Sequence, residues 1–559
     1  MSSPGETGNQ DVFYDIQEDA TRSIIFQTGL LVSLYTVSGG ILALTFVYVS
    51  ALFDTDFNVA LSSWNYVFYT GCGIGAVIAI VQVIWAYYKD PGERITQMDP
   101  MPVDMEDPYH EQFQNVVQEI TLAAPANNVY AHVLPTLKMN VLTTGNRDEA
   151  VIYITEGALG KLKRDELQAV VAHEMAHIVY GDSRLNQFTT GLISTMESIV
   201  LSPSEIMDDD YDSHRDGGGM IAALAVAMVG KLLLFLQKFL VFSISQDREW
   251  RADATAVEYS RNPLALANAL HRIGSSVSGG SLFSPLSRRS PLGDINQMFD
   301  KLHFNLLTIV SADDFRDRGG VGEWFHSHPP MNERVDKCLE LAHASRDQLD
   351  EQGRRMSDEL PVQPLKDEDG NLLKDQEWFV HGEGDKPLSF LEILHMGILG
   401  PDLNVAKVGE EEYSKAGERS DFIPFMEQGG SSSTGKKLDM DCPDCDIPLR
   451  ERTFQGVPMA VCVLCGGGLL SWEKLIRVES RYKRGSLPEH ISEEDLENYK
   501  GYHGNTETKQ EEEDSIPCPK CDNQCKVWRY KTTPLLIDYC QNCRLTWFET
   551  DELQIGLEL

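Results

Sequence analysis

Two charge-free apolar stretches stand near the N-terminal end of the chain, from about Ile24 to Phe53 and from about Trp64 to Tyr88. Each exceeds the roughly 20 apolar residues that a helix needs to cross a bilayer. Trp64, Tyr66, Trp85, Tyr87 and Tyr88 gather at the ends of the second, where an aromatic belt meets the interface. Residues 23–90 are therefore predicted to form a transmembrane hairpin behind an acidic tail over 1–22. That tail carries Glu6, Asp11, Asp15, Glu18 and Asp19 and has no positive n-region, so it does not read as a cleavable signal. Arg22, Lys89 and Arg94 flank the hairpin, while its loop from Asp54 to Ser63 has no Lys or Arg. The positive-inside rule then puts the N-terminus and everything after Lys89 in the cytoplasm.

Over 91–345 the pattern is that of a globular domain. Val141 to Thr155 reads as two short strands around Gly145-Asn146, and Lys163 to Val179 as a helix with Asp165 near its start and Gly181 just past its end. Two more apolar segments, 188–201 and 220–244, are interrupted by Glu197 and by Lys231, Gln237 and Lys238. They read as a second membrane hairpin joined by the acidic loop Glu205 to Asp216, or as amphipathic helices against the domain or the membrane surface; buried lysines make the first costly. Residues 346–440 are acidic and polar and close with Gly429-Gly430-Ser431-Ser432-Ser433, a linker composition broken by one apolar patch, Leu388 to Leu399. A second acidic linker covers 477–515.

The length of 559 residues fits roughly three to four domains. The net charge of −37 repels phosphate backbones, which makes nucleic acid a poor partner. Nine of the eleven cysteines lie after residue 440, and eight of those form Cys-x-x-Cys pairs. That is metal-ligand spacing rather than a disulfide framework, and it implies a reducing compartment. Cys442, Cys445, Cys462 and Cys465 fall in 441–476, and Cys518, Cys521, Cys540 and Cys543 in 516–555. After the second pair come Leu469-Leu470 and Leu475 in one copy, Trp547-Phe548 and Leu553 in the other, so a small module is repeated. Four thiolates close a structural zinc site that folds a domain too small for a core of its own. The modules resemble TFIIB-type zinc ribbons, with Gly466-Gly467-Gly468 after the fourth ligand. Neither copy is basic, so a protein partner is expected in place of nucleic acid.

The string His173-Glu174-Met175-Ala176-His177 lies in the predicted helix. Residues four apart share a helix face, so both imidazoles can reach one ion, with Glu174 beside a water on it. Zinc lowers the pKa of such a water to about 7, and Glu174 can take its proton and pass it to the leaving amine. A third ligand is required. Glu249 in Asp247-Arg248-Glu249-Trp250-Arg251-Ala252-Asp253 is the candidate, with Asp253 four residues on positioned to hydrogen-bond a ligand histidine.

Asn140-Val-Leu-Thr-Thr-Gly145, Arg164 to His177, Gly181-Asp182, Arg248 to Asp253, and His328-Pro329-Pro330 with Arg334 together resemble HtpX-type heat-shock peptidases, relatives of the CAAX prenyl protease. The resemblance covers roughly residues 20–345. It implies an integral membrane gluzincin with a cytoplasmic site acting on membrane or misfolded proteins. It further implies that Glu249 is a zinc ligand, that Asn140 and Arg334 contact substrate, and that His328 lies near the transition-state oxygen. The cysteine-rich tail departs from the family pattern.

The expected fold is thus a mainly α, membrane-anchored peptidase domain (α+β, with the motif on a helix) followed by two β-rich zinc ribbons. The expected function is zinc-dependent endopeptidase, with one catalytic and two structural zinc ions. The rival reading is a membrane-tethered zinc-ribbon adaptor whose peptidase-like domain is a non-catalytic scaffold.

Overall fold

The computed structural model of the chain describes residues 4–51, 63–88, 95, 98–209, 217–278, 328–350, 365, 371–426, 435–482, 515–530, 535–549 and 551–558. An N-terminal unit ends at Arg354 and a C-terminal unit begins at Arg355.

The N-terminal unit starts with α1 (Pro4–Ala51) and α2 (Trp64–Tyr88). Most of the expected acidic tail is in fact the first turns of α1. Its Glu and Gln residues suit a helix, its first acids sit at the favourable N-terminal end, and Phe13, Ala20 and Ile24 give that stretch a buried stripe. The two helices touch backbone to backbone. A Cβ on Gly39 would lie 2.4 Å from the Gly71 carbonyl oxygen, so only glycine permits this crossing.

The globular part builds a four-stranded sheet from β1 (Met101–Pro102), β2 (Asn128–Leu134), β3 (Val141–Gly145) and β4 (Glu149–Thr155), in the order β1-β2-β4-β3. β2 and β4 are parallel, the other pairs antiparallel, and β3 forms an edge. Around it come α3 (Pro108–Ala123), the short α4 (Glu156–Lys161), α5 (Arg164–Tyr180), α6 (Asp182–Asp209), α7 (Gly217–Ser260), α8 (Pro263–Ser278) and α9 (Met331–Ala342). Phe113 and Val117 of α3, Ile152 and Ile154 of β4, Val170 and Val171 of α5, Leu270 of α8 and Val335 of α9 share one core. Burying each such side chain contributes on the order of 1.5–3 kcal/mol.

Among the described residues three helices are long and apolar enough to cross a membrane, over Phe13–Val49, Trp64–Tyr88 and Leu224–Ser260. The segment 188–201 is not among them, which accords with the amphipathic alternative for that segment. It belongs to the two-faced α6, whose Glu197 pairs with Lys238 of α7 at 2.6 Å. α7 is one unbroken rod of 44 residues.

In the C-terminal unit the expected linker is partly a folded structure. β5 (Glu377–Val380), β6 (Leu388–Ser389), α10 (Phe390–His395), β7 (Asn404–Lys407) and β8 (Ser414–Lys415) form a small sheet, ordered β6-β5-β7-β8, with a helix beside it and a further helical turn over Ile423–Met426. Its acidic residues are turned outward, while Trp378, Phe390, Ile393 and Phe422 join a core with Cys442, Cys445 and Cys462. The cysteine modules comprise β9 (Lys436–Asp441), β10 (Pro448–Phe454), β11 (Val457–Val461), β12 (Gly468–Ser471), α11 (Trp472–Arg481), β13 (Lys526–Arg529), β14 (Leu536–Cys540), β15 (Leu545–Phe548) and α12 (Glu552–Glu558). They are not separate bodies: β12 pairs with β15, and one seven-stranded sheet runs through both copies. Most of the second expected linker lies outside the described residues.

Candidate active site

The sequence Asp165-Glu166 at the start of α5 supplies its first-turn acids, and the Glu166 carboxylate accepts the Lys163 N–H at 2.9 Å. Gly181, at φ 70°, ends the helix in a left-handed turn. Between these ends Ala169, Val170, Val171 and Ala172 are fully buried, which drives the following motif inward. His173, Glu174 and His177 are all buried.

α7 crosses this face and delivers Glu249. His173 Nε2 and His177 Nε2 are 3.2 Å apart, and the Glu249 carboxylate oxygens lie 3.4 Å from the first and 3.6 Å from the second. Ligands about 2.1 Å from a tetrahedral zinc ion are separated by about 3.4 Å. Glu249 turns Oε2 to His173 and Oε1 to His177, and the three residues offer donor atoms within 4.8 Å of one another, so they fit the metal. Glu174 Oε2 is buried without a hydrogen-bond partner among the described residues. Burial pushes the Glu174 carboxyl up to about 8, against the pull of His173. Burial lowers the His173 imidazole, but Asp253 and Glu249 outweigh it and raise His173 to about 9.

Each histidine has a carboxylate behind it. Asp253 lies 2.9 Å from His173 Nδ1, and Asp182 lies 2.7 Å from His177 Nδ1. Arg334 grips Asp253 with two hydrogen bonds of 2.8 Å and reaches Glu249 at 3.2 Å. Arg251 donates to Asp182 at 2.8 Å, and Arg248 lies 3.4 Å from it. Burial would raise Asp182, yet Arg248 and His177 hold it down at about 2.

The expected residues do not all fall where they were placed. His173, His177, Glu249, Glu174 and Asp253 come together. His328 joins them, with Nε2 3.9 Å from Glu249 Oε1. Asn140 stands at the start of the edge strand β3, with its own Oδ1 accepting the Val141 N–H at 2.9 Å. Arg334 does not face substrate: it is fully buried behind the metal-binding group, because two carboxylates in an apolar interior need a cation. The sequence alone assigns Asp182, Arg248 and Arg251 no role. Their signal was the Gly181-Asp182 pair and two arginines flanking Glu249.

The other two donor sets are the cysteines. Cys442, Cys445, Cys462 and Cys465 converge, as do Cys518, Cys521, Cys540 and Cys543, each set with its sulfurs within 4.8 Å. Cys442 to Cys465 and Cys521 to Cys540 are both 3.7 Å. That matches the edge of about 3.8 Å expected for Zn–S bonds of about 2.3 Å.

A buried His/Glu group of this kind, on a domain carried by apolar helices, defines a membrane protein of the metallopeptidase class. The profile of peptidase family M48 matches residues 106–342. A protease HtpX homolog from Pyrococcus furiosus is 26% identical over 319 residues, 57% of this chain and 93% of that protein. One from Paenarthrobacter aurescens is 27% identical over 270 residues, covering 48% and 85%. One from Streptococcus pneumoniae is 30% identical over 236 residues, covering 41% and 72%. The chain belongs to peptidase family M48, among its HtpX-type proteases.

Proposed function

We propose that the protein is a zinc-dependent endopeptidase that cleaves membrane or misfolded polypeptides, with His173, His177 and Glu249 as metal ligands and Glu174 as general base. The observation that carries this reading is the convergence of the three donor residues beside the Glu174 oxygen that has no partner among the described residues. When bound, zinc supplies a Lewis acid that activates water and polarises the scissile carbonyl.

The chain's own residues do the rest. Glu174 takes the proton of the attacking water and delivers it to the amine as the C–N bond breaks. Asp253 and Asp182 hold the two imidazoles with their Nε2 atoms toward each other. His328 donates toward the carbonyl oxygen as charge builds there. The edge strand β3, without a strand on its outer side among the described residues, offers its backbone to an extended substrate, and Asn140 just before it helps hold that backbone. The cysteine sites are structural, and the ribbons bind protein. Arg22, Lys89 and Arg94 support a cytoplasmic catalytic side.

The test is cleavage of an unfolded protein by the detergent-solubilised, zinc-loaded chain beside Glu174→Gln, which keeps the shape and removes the base. Cleavage by the parent and a loss of activity in the variant are expected. Equal cleavage by both would sink the assignment of Glu174.

A further inference from the structure

The two cysteine sets carry the same donors in unequal shelter. Cys442, Cys445, Cys462 and Cys465 are all buried, whereas in the second set Cys518 and Cys540 are buried and Cys521 and Cys543 are partly exposed. The turns that present the thiols match. Asp446 and Asp522 both take a positive φ, 52° and 57°, and the Cys442 and Cys518 N–H groups donate to the Ile447 and Asn523 carbonyls at 2.8 and 2.9 Å. What surrounds the turns does not match.

In the first module Ile447 and Leu464 sink into the core that Trp378, Phe390 and Phe422 complete. The Leu365 N–H donates to the Val463 carbonyl at 3.3 Å, and His395 Nε2 lies 2.9 Å from the Cys445 carbonyl oxygen. The positions that correspond to Ile447, Val463 and Leu464 in the second module are Asn523, Gln541 and Asn542, all polar and exposed. Among the described residues its thiols have only Ile516 and Leu545 as other apolar members of their cluster. A fifth thiol, Cys525, is buried there with Cys518 and Cys540, where the first module has Leu449. The second module thus holds one sulfur more than a zinc tetrahedron uses.

We propose that the second cysteine set is an oxidation site for hydroperoxides, which convert its thiolates to a disulfide while the first set stays reduced. This rests on the reading that both sets hold zinc. Thiolate character and access decide which cysteine is oxidised, and zinc-bound sulfurs are deprotonated in both sets, so access decides between them. The Cys521 thiolate attacks the peroxide O–O bond and takes one oxygen as sulfenic acid, while the other leaves as hydroxide. The Cys540 thiolate, 3.7 Å away, then attacks the Cys521 sulfur, forms the S–S bond and expels a second hydroxide. The peroxide gains the two electrons that the two sulfurs lose. Of the four ligands Cys518 and Cys543 remain, too few to close a structural zinc site.

The test uses the full zinc-loaded chain in detergent. A separate sample treated with an organomercurial first gives the amount of thiol-held zinc. Hydrogen peroxide is then added to the chain while a colorimetric indicator follows zinc, and differential alkylation with mass spectrometry maps each cysteine. The first zinc ion released is expected to coincide with a disulfide among Cys518, Cys521, Cys525, Cys540 and Cys543. Oxidation there should be about tenfold or more faster than at the four cysteines of the first set. Oxidation of both sets at one rate, or of the first set sooner, would overturn the inference and leave the zinc ribbons standing. A mercurial that frees no zinc would overturn the ribbon reading as well.

Discussion

His177 Nδ1 lies 2.7 Å from Asp182 Oδ2, across the turn that Gly181 makes at φ 70°. The carboxylate accepts the Nδ1–H, which leaves the Nε2 lone pair facing His173 and Glu249. Arg248 and Arg251 keep that carboxylate charged. Asp182→Asn retains the volume but not the charge, and zinc affinity is expected to fall about 10- to 100-fold. Competition with a chelator measures it, and an unchanged affinity would show that the contact merely packs.

Arg334 is the counterpart on the other histidine, acting through Asp253. Arg334→Ala leaves two buried carboxylates without their cation, and the expected loss of stability is about 3–5 kcal/mol. Arg334→Lys keeps the charge without the two parallel hydrogen bonds, so it should fall between parent and alanine variant. Unfolding of the detergent-solubilised protein gives the order; a lysine variant as weak as the alanine one would contradict it.

These two networks also mark the limit of what the sequence disclosed. His173, Glu174 and His177 could be read because helical spacing is local, and Glu249 with Asp253 because the same spacing recurs. Asp182 carries no periodic signal; its role exists only because Gly181 turns the chain back. Arg334 reads as a substrate contact because its partners belong to another helix, and an arginine near a site looks the same in sequence whether it faces substrate or core. In the acidic stretch before residue 440, Trp378, Phe390 and Phe422 are too scattered to show a period. They make a core only together with the first cysteine module.

Glu552 offers a test in the C-terminal unit that is separate from catalysis. Burial pushes its carboxyl up to about 8; the Glu549 N–H opposes this, while Glu549, Asp538 and Asp444 add to it. A raised carboxyl stabilises the fold in its protonated form. The contribution is complete below the usual value of 4.5 and is lost as pH rises through about 8. Glu552→Gln should therefore raise the melting temperature of this unit relative to the parent at about pH 9 more than at about pH 6, with zinc saturating in both. An offset that does not change with pH would mean that the group is solvated.

Trp547 joins the two cysteine modules. It belongs to the second, yet it is buried in the core that contains Cys442, Cys445, Cys462 and Cys465 of the first. Its strand pairs Trp547 with Leu469, and Gly467 lies so near the indole that a Cβ there would come within 2.4 Å of the ring. The first metal site is thus walled by the second module, and closing one should organise the other. Trp547→Ala opens a cavity costing about 3–5 kcal/mol. It should also speed zinc loss from the first site, although none of that site's ligands is touched. Cys540→Ser, which breaks the second site, should loosen the first in the same way. Chelator-driven release, followed as the number of zinc ions lost over time, reads both. Release from the first site at the parent rate in both variants would mean that the modules fold independently, as their repeat in the sequence suggests, and that the β12–β15 pairing carries no coupling.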